Sequence, residues 1–483
     1  MKVRTRFAPS PTGYMHIGNL RTALYAYLLA RHAGGTLILR IEDTDQNRLV
    51  DDAVDFIHST LNAAKIDYDE GPDKGGDYGP YVQTQRLPIY KKYAEELIQK
   101  GHAYRCFCSH QDHEGFGGYN RHCRNLTEAE VQAKLAEGVP YVIRQKMPLA
   151  GEVLFNDLLH GDITIAADTL EDQILLKSDG MPTYNFANVI DDHLMEITHV
   201  LRGTEYITST PKHVLLYQFL GWTPPIFVHL PVVMGKAADG TVAKLSKRHG
   251  ATGFSELVEM GYLPEAITNY VALLGWSPKS EEELFTMDEL IAKFSTDGLS
   301  KSPAVFDYQK LDWFNSEYFK KMPAEDFATQ ARPFAKELAA DLAAKWSYLA
   351  ALLQPRISKF SDIPSEIAFL AKTTPYTAEL FNHKKNKATP DTALEIIPLT
   401  VAVLEKVEDW TPEGIDALLK PAIAESGIKM GSFMWPLRIA LSGQKVTPGG
   451  VTEILYLLGK EESLRRLATG IDVAKGGAGN SAE

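Results

Sequence analysis

The chain is poor in cysteine, with three in 483 residues, and that scarcity excludes a disulfide framework. It has no apolar run approaching the roughly 18 residues needed to cross a bilayer. The start, MKVRTRFAPSPTG, lacks the apolar stretch of a secretory leader. Positive charge is also short. Lys and Arg number 50 against 62 Asp and Glu, a formal net charge of −12. That excludes a generally basic nucleic-acid coat but leaves room for a local basic groove, because steering follows the local field. No internal repeat is found. These gaps predict a soluble cytoplasmic protein with no membrane partner, in about three domains for this length.

What is present, first, is an alternation of strands and helices. Residues 3–7 read as a short strand, and 20–31 as a helix with Leu20, Leu24, Tyr27 and Leu28 on one stripe. Residues 36–42 read as a buried strand, and Asp43, Thr44 and Asp45 supply cap-type residues before a helix from about residue 51. A third amphipathic helix covers 87–100 and stops at Gly101. This order predicts an α/β fold, a Rossmann-type doubly wound parallel sheet whose functional crevice lies beyond the carboxyl ends of its strands. Residues 1–105 and 191–250 are expected to be its two halves. Residues 106–190 change to short strands and turns around one helix at 127–137, which reads as an inserted α+β module. After Lys247 the chain reads as almost wholly helical, divided into all-α domains at 251–320 and 321–474, with a disordered tail at 475–483.

Two stretches carry chemistry. In 8–30, APSPTGYMHIGNLRTALYAYLLA, a strand ends in a turn and a helix opens, which aims free backbone N–H groups at phosphate oxygens. Gly13 and Gly18 allow close approach, His16 adds a donor, and Asn19 adds an amide at the helix start. A capped helix with an ordinary surface histidine would look the same. The second stretch, Lys244-Leu245-Ser246-Lys247-Arg248-His249-Gly250, is a cationic cluster among glycines. It could close on a triphosphate, where one well-placed donor is worth roughly 3 kcal/mol of barrier, or be a solvated loop.

Together the two stretches resemble the "HIGH" and "KMSKS" signatures of class I aminoacyl-tRNA synthetases, with Asn19 in place of the last histidine. The strings Arg6-Phe7-Ala8-Pro9-Ser10-Pro11-Thr12-Gly13, Arg40-Ile41-Glu42-Asp43-Thr44-Asp45 and Pro182-Thr183-Tyr184-Asn185-Phe186-Ala187-Asn188 are similar to those of the bacterial glutamyl-tRNA synthetases, from Val3 to about Gly459. The resemblance implies ATP-dependent attachment of glutamate to tRNA(Glu) through a glutamyl-adenylate, with Mg²⁺ accompanying ATP and a monomeric protein. It implies catalytic roles for His16, Lys244, Ser246 and Lys247, and an ATP site at Ala8, Pro9, His16, Gly18, Asn19, Glu205 and Lys247. It implies a glutamate pocket of Glu42 for the ammonium, Arg6 and Arg202 for the side-chain carboxylate, and Tyr184, Asn188 and Ser10 beside them. Glutamine lacks the charge that Arg6 and Arg202 would pair.

By the same resemblance, 106–190 would hold the acceptor stem, 251–320 would contact the stem through a segment at 301–307, and 321–474 would bind the anticodon, with Arg356 as a tRNA contact. Cys106, Cys108 and Cys123 resemble the zinc module of some members. Asn125 stands where a histidine ligand would be, so Tyr119, His110, His113 or His122 would have to complete a closed site. Idle thiols are the other reading. Further alternatives are an enzyme that also charges tRNA(Gln), the truncated paralogue that modifies tRNA(Asp), glutaminyl-tRNA synthetase, and a non-catalytic tRNA-binding relative. The long helical half and the Lys244–Arg248 cluster disfavour the paralogue, and the dearth of strands in the last third disfavours the glutaminyl enzyme.

Overall fold

The computed structural model describes residues 2–108, 119–236, 240–245, 252–336 and 338–476. It divides into two compact units: Met1–Glu259 with Leu263–Leu311, and Met260–Tyr262 with Asp312–Glu483.

In the first unit, strand β1 (Arg4–Phe7) leads through the Pro-rich turn into helix α1 (Ile17–His32) and strand β2 (Thr36–Leu39). β1 and β2 pair in parallel, Arg4 opposite Thr36 and Phe7 opposite Leu39. Helix α1 opens earlier than the apolar pattern predicted, because His16 is already extended (φ −75°, ψ 157°) and Asn19 falls inside the first turn. Its burial is also wider than one stripe: Ala23 through Ala30 are all buried, since sheet and helices cover every side. The expected strand over 36–42 stops at Leu39; beyond it the chain bonds singly, Arg40 N–H to Phe7 and Glu42 N–H to Pro9.

Helices α2 (Ala53–Ala63) and α3 (Leu87–Gln99) follow, the latter ended by Gly101 at φ +78°. Strand β3 (Ala103–Cys106), helix α4 (Glu128–Ala136), and strands β4 (Val142–Gln145), β5 (Glu152–Asp157), β6 (Gly161–Ala166) and β7 (Ile174–Leu176) come next. Then come helix α5 (Tyr184–Leu194), strand β8 (His199–Gly203), helix α6 (Thr210–Leu220) and strand β9 (Ile226–Leu230). β3, β4 and β7 form an antiparallel sheet. The β5–β6 hairpin instead joins β9, which pairs in parallel with β8, in the order β6-β5-β9-β8. The stretch 106–190 therefore shares a sheet with strands of the stretch 191–250, and α5 runs across residue 190. Cores form between α3, α5 and α6 (Tyr90, Leu97, Phe186, Ile190, Tyr217) and beneath the mixed sheet (Ile38, Phe155, Val200, Leu215, Phe227).

Strands β10 (Val233–Lys236) and β11 (Val242–Lys244) precede helices α7 (Phe254–Glu259), α8 (Pro264–Ala272) and α9 (Met287–Lys293). The almost wholly helical reading after Lys247 needs one correction. Strand β12 (Ala304–Phe306), inside the 301–307 segment, pairs in parallel with β10. Three apolar residues in an otherwise polar stretch carry too little pattern to announce a strand; the long-range pairing makes it.

From Asp312, within helix α10 (Tyr308–Lys321), the second unit is a helical run continued by α11 (Ala324–Ala331), α12 (Ala340–Ala344), α13 (Trp346–Leu353) and α14 (Ile363–Ala371). Helices α15 (Pro390–Leu404), α16 (Pro412–Ser426), α17 (Met430–Ser442), α18 (Val451–Leu458) and α19 (Lys460–Ala474) complete it. The described residues there hold no strand longer than an isolated bridge.

Candidate active site

The carboxyl ends of β1, β8 and β9 open on one cleft of about 590 Å³. β1 supplies Arg6, and its following turn supplies Ala8, Pro9 and Ser10; the start of α1 supplies His16, Gly18 and Asn19. Glu42 enters just past β2, Tyr184 and Asn188 from α5, Arg202 and Glu205 from the end of β8, and Lys244 from β11. Residues from five stretches of sequence thus meet where a doubly wound sheet leaves its crevice.

The start of α1 has the chemistry that suits an anion. Its first turn holds no acidic residue, and no side chain caps it. A Cβ on Gly18 would meet no atom of the described residues within 4 Å, and Gly18 sits in helical backbone. The fold's own packing therefore does not require glycine there; the bare surface is available to a ligand. A second hollow of about 420 Å³ shares Ser10, His16, Asn19 and Arg48 and adds Gly13 and Gly253.

Ser246 and Lys247 lie outside the described residues, as do Arg248, His249 and Gly250. The residues on either side of that segment border the cleft. Lys244 and Leu245 line it, and Thr252 accepts from Ile17 N–H through its carbonyl at 3.0 Å while its Oγ1 lies 3.2 Å from His16 Nδ1.

The glutamate-pocket candidates are embedded in charge that the sequence reading did not anticipate. Arg6 grips Asp192 with Nε and Nη2 at 3.0 and 3.4 Å, and its Nη1 donates to the Leu201 carbonyl at 3.4 Å. Arg40, fully buried, donates to Glu42 at 2.9 Å and Asp192 at 2.8 Å. Arg86 reaches Asp191 at 2.7 Å, and Tyr90 and Gln83 donate to the same carboxylate. Asn188 Nδ2 donates to Glu42 Oε1 at 3.2 Å. Three guanidiniums thus face three carboxylates. Burial raises the Glu42 carboxyl above its usual range despite Arg40 and Arg6. Burial pushes Asp192 the same way, but Arg6 and Arg40 outweigh it and hold that carboxyl low.

Arg40, Asp191 and Asp192 were not expected as site residues. A signal existed: Tyr184, Asn188 and Asp192 recur at four-residue spacing, so they share one face of α5. Arg202 differs from Arg6. Its three nitrogens donate to His229 Nε2 at 3.1 Å, His213 Nδ1 at 3.1 Å and Thr210 Oγ1 at 2.7 Å, none of them a carboxylate. Burial raises the Tyr184 hydroxyl, helped by Glu42, so it stays a neutral donor.

The sulfurs of Cys106, Cys108 and Cys123 lie within 4.8 Å of one another, with Cys108 and Cys123 at 3.3 Å. Zn–S bonds of about 2.3 Å in a tetrahedron place sulfurs about 3.8 Å apart, so the triad fits a zinc ion. Burial opposes ionisation of Cys106, but hydrogen bonding by Tyr119 and Arg144 holds its thiol below the usual value, while burial and the other thiols push Cys108 up to about 12. Of the candidate fourth ligands, Tyr119 lies against Cys106, and His110 and His113 fall outside the described residues.

In the second unit Arg356 is exposed, in the turn after α13. Arg438 of α17 is depressed by burial and then by the positive charge of Arg356, which places two guanidiniums in one neighbourhood. Lys384, Lys385 and Lys387 are exposed. No helix is long and apolar enough to cross a membrane among the described residues.

Comparison with known proteins accords with this arrangement. Residues 2–313 match the family model for the catalytic domain of class I tRNA synthetases (E and Q), and 326–471 match an anticodon binding domain. The chain is 49% identical over 487 residues to a glutamate–tRNA ligase of Clostridium botulinum strain Eklund 17B, covering 98% of this chain and 99% of the relative. It is 47% identical to the glutamate–tRNA ligase of Clostridium novyi, covering 98% of each. Among solved structures, a glutamate tRNA ligase from Elizabethkingia meningosepticum in complex with its amino acid superposes with a TM-score of 0.84 at 36% identity, covering 98% of this chain and 100% of that one. The glutamate-tRNA synthetase of Elizabethkingia anophelis gives 0.87 at 36% identity over the same shares.

Proposed function

This chain belongs to the class I tRNA synthetases for glutamate and glutamine, and from that membership we propose that it attaches L-glutamate to tRNA(Glu) in two steps at the cleft of the first unit. The α-carboxylate of glutamate attacks the α-phosphorus of ATP, pyrophosphate leaves, and the terminal adenosine hydroxyl of tRNA then takes the glutamyl group from the adenylate. Neither step needs a protein nucleophile, so positioning and charge stabilisation carry the catalysis.

His16, Asn19 and the N–H groups at the start of α1 hold phosphate oxygens, and Lys244, Ser246 and Lys247 stabilise the charge that develops on them. Ala8, Pro9 and Glu205 border the nucleotide, and Mg²⁺ accompanies its phosphates. Glu42 takes the substrate ammonium, which relieves a carboxylate that burial disfavours. Arg202 takes the side-chain carboxylate, flanked by Arg6, Tyr184, Asn188 and Ser10. Zinc at Cys106, Cys108 and Cys123 would brace the stretch around β3 and take no part in the reaction. Arg356 and Arg438 meet tRNA phosphates.

The observation that supports this reading most is convergence. Residues from the phosphate turn, the acid after β2, the face of α5 and the end of β8 line one cleft with Lys244. ATP–pyrophosphate exchange tests it, with glutamate or glutamine and with or without tRNA. Glutamate-dependent exchange is expected. Exchange driven by glutamine, or none under any condition, overturns the reading.

A further inference from the structure

Arg202 is buried, at 4% exposure, yet among the described residues its hydrogen bonds end only on neutral groups. A buried cation without a counter-charge is costly unless something supplies the charge later. The surroundings show how the fold keeps it unneutralised. His229 Nδ1–H donates to Asp157 Oδ2 at 2.7 Å, which leaves Nε2 as an acceptor for Arg202 Nε. His213 accepts from Arg202 Nη1 at Nδ1, so its proton sits on Nε2 and donates to Asn185 Oδ1 at 2.9 Å. Thr210 passes its own proton to the Tyr206 carbonyl and accepts from Nη2.

Each imidazole is thereby held in the tautomer that points a lone pair at the guanidinium. Burial, reinforced by Arg202, keeps both below the usual imidazole value. Asp157 is tied to His229 and to the Leu159 and His160 N–H groups, so its charge is used one residue away from Arg202. The contrast with Arg6 and Arg40 is sharp, since carboxylates meet both.

We propose that His213 and His229, with Thr210, are positioning residues that make Arg202 a pre-organised, uncompensated receptor for the substrate's side-chain carboxylate, and that the neutrality of this collar sets the preference for glutamate over glutamine. The inference rests on the functional reading above. A carboxylate in the collar would neutralise Arg202 before substrate arrives and so remove the penalty that a neutral amide suffers there. Tight packing alone does not predict this, because it is indifferent to the charge of an isosteric replacement.

The test uses pairs of equal shape in the full-length protein. His213→Asn keeps a neutral acceptor and His213→Asp adds a charge; Thr210→Asn and Thr210→Asp repeat the comparison at Nη2. Glutamate- and glutamine-dependent ATP–pyrophosphate exchange is measured with tRNA present. Each Asp variant is expected to lose at least about tenfold in the glutamate-to-glutamine ratio of kcat/KM relative to its Asn twin. Its KM for glutamate should rise while KM for ATP stays within about twofold. Equal ratios for Asn and Asp at whichever position folds overturn the inference. A wild-type protein that fails to prefer glutamate overturns the functional reading instead, so the two failures are told apart.

Discussion

Arg6 and Arg202 are the same residue type lining one cleft, and they face opposite conditions. Arg6 already holds Asp192, so its removal is a structural event as well as a loss of binding. Replacing it by alanine leaves Asp192 with Arg40 alone in a buried site. Loss of one partner of a buried pair costs about 3–5 kcal/mol. Arg6→Ala is therefore expected to lower the stability of the first unit by that order in a denaturant titration. Arg6→Ala combined with Asp192→Ala should recover part of the loss, and full additivity of the two would argue against the pair. Arg202 carries no such obligation to a carboxylate, which is why the selectivity test is placed on its neighbours.

At the scale of elements, α1 ties local sequence to function through one glycine. Glycine in a helix costs roughly 0.5–1 kcal/mol against alanine, and none of the described residues stands over Gly18. Gly18→Ala is expected to leave thermal stability unchanged or raised, while KM for ATP increases; a variant less stable than wild type would show that packing, not ligand, selects glycine here. In the second unit, α19 plays an unexpected part. Arg466, buried, donates to the carbonyls of Phe369 at 2.7 Å, Leu370 at 2.9 Å and Leu441 at 2.8 Å. Those carbonyls belong to the last turns of α14 and α17, which have no partners within their own helices. One guanidinium therefore caps two helices. Arg466→Leu leaves buried carbonyls unpaired at about 1–3 kcal/mol each, and should lower the unfolding midpoint of the second unit while that of the first stays put, as hydrogen exchange resolved by region would show.

For the whole molecule, acidity is the informative variable. His213 and His229 are both pushed below the usual imidazole value, by burial first and then, for His213, by Arg202. Below about pH 6.5, where the unfolded chain takes up these protons and the folded one does not, the unfolded state binds more protons. Stability is then present above about 6.5 and falls as the pH drops toward the folded values. The urea midpoint is expected to decline across this window, with a shallower slope in His213→Asn. A midpoint flat from pH 7 to 5 would contradict the burial of neutral imidazoles. Metal content is the second property of the whole chain. Purified protein is expected to carry about one zinc per chain, lost on replacing Cys106, Cys108 and Cys123 by serine; a metal-free, fully active preparation would leave the cysteines as idle thiols.

The order of strands and helices in the first unit, the helical second half, the turn that meets α1 and the strings bearing Arg6, Glu42, Tyr184 and Arg202 were legible in the amino-acid sequence alone. Each is written in short-range terms: hydrophobic period, punctuation by Gly and Pro, residue types at a strand's end. Three things were decided only when the chain closed on itself. The β5–β6 hairpin sits on β9 rather than in a module apart, and β12 exists because β10 lies beside it. Arg6 meets a carboxylate, Asp192, 186 residues away in sequence, while among the described residues the hydrogen bonds of Arg202 end on imidazoles and a hydroxyl. Pairing between distant strands and compensation between buried charges depend on distances that no local pattern encodes, and it is those distances that give two identical side chains different chemistry.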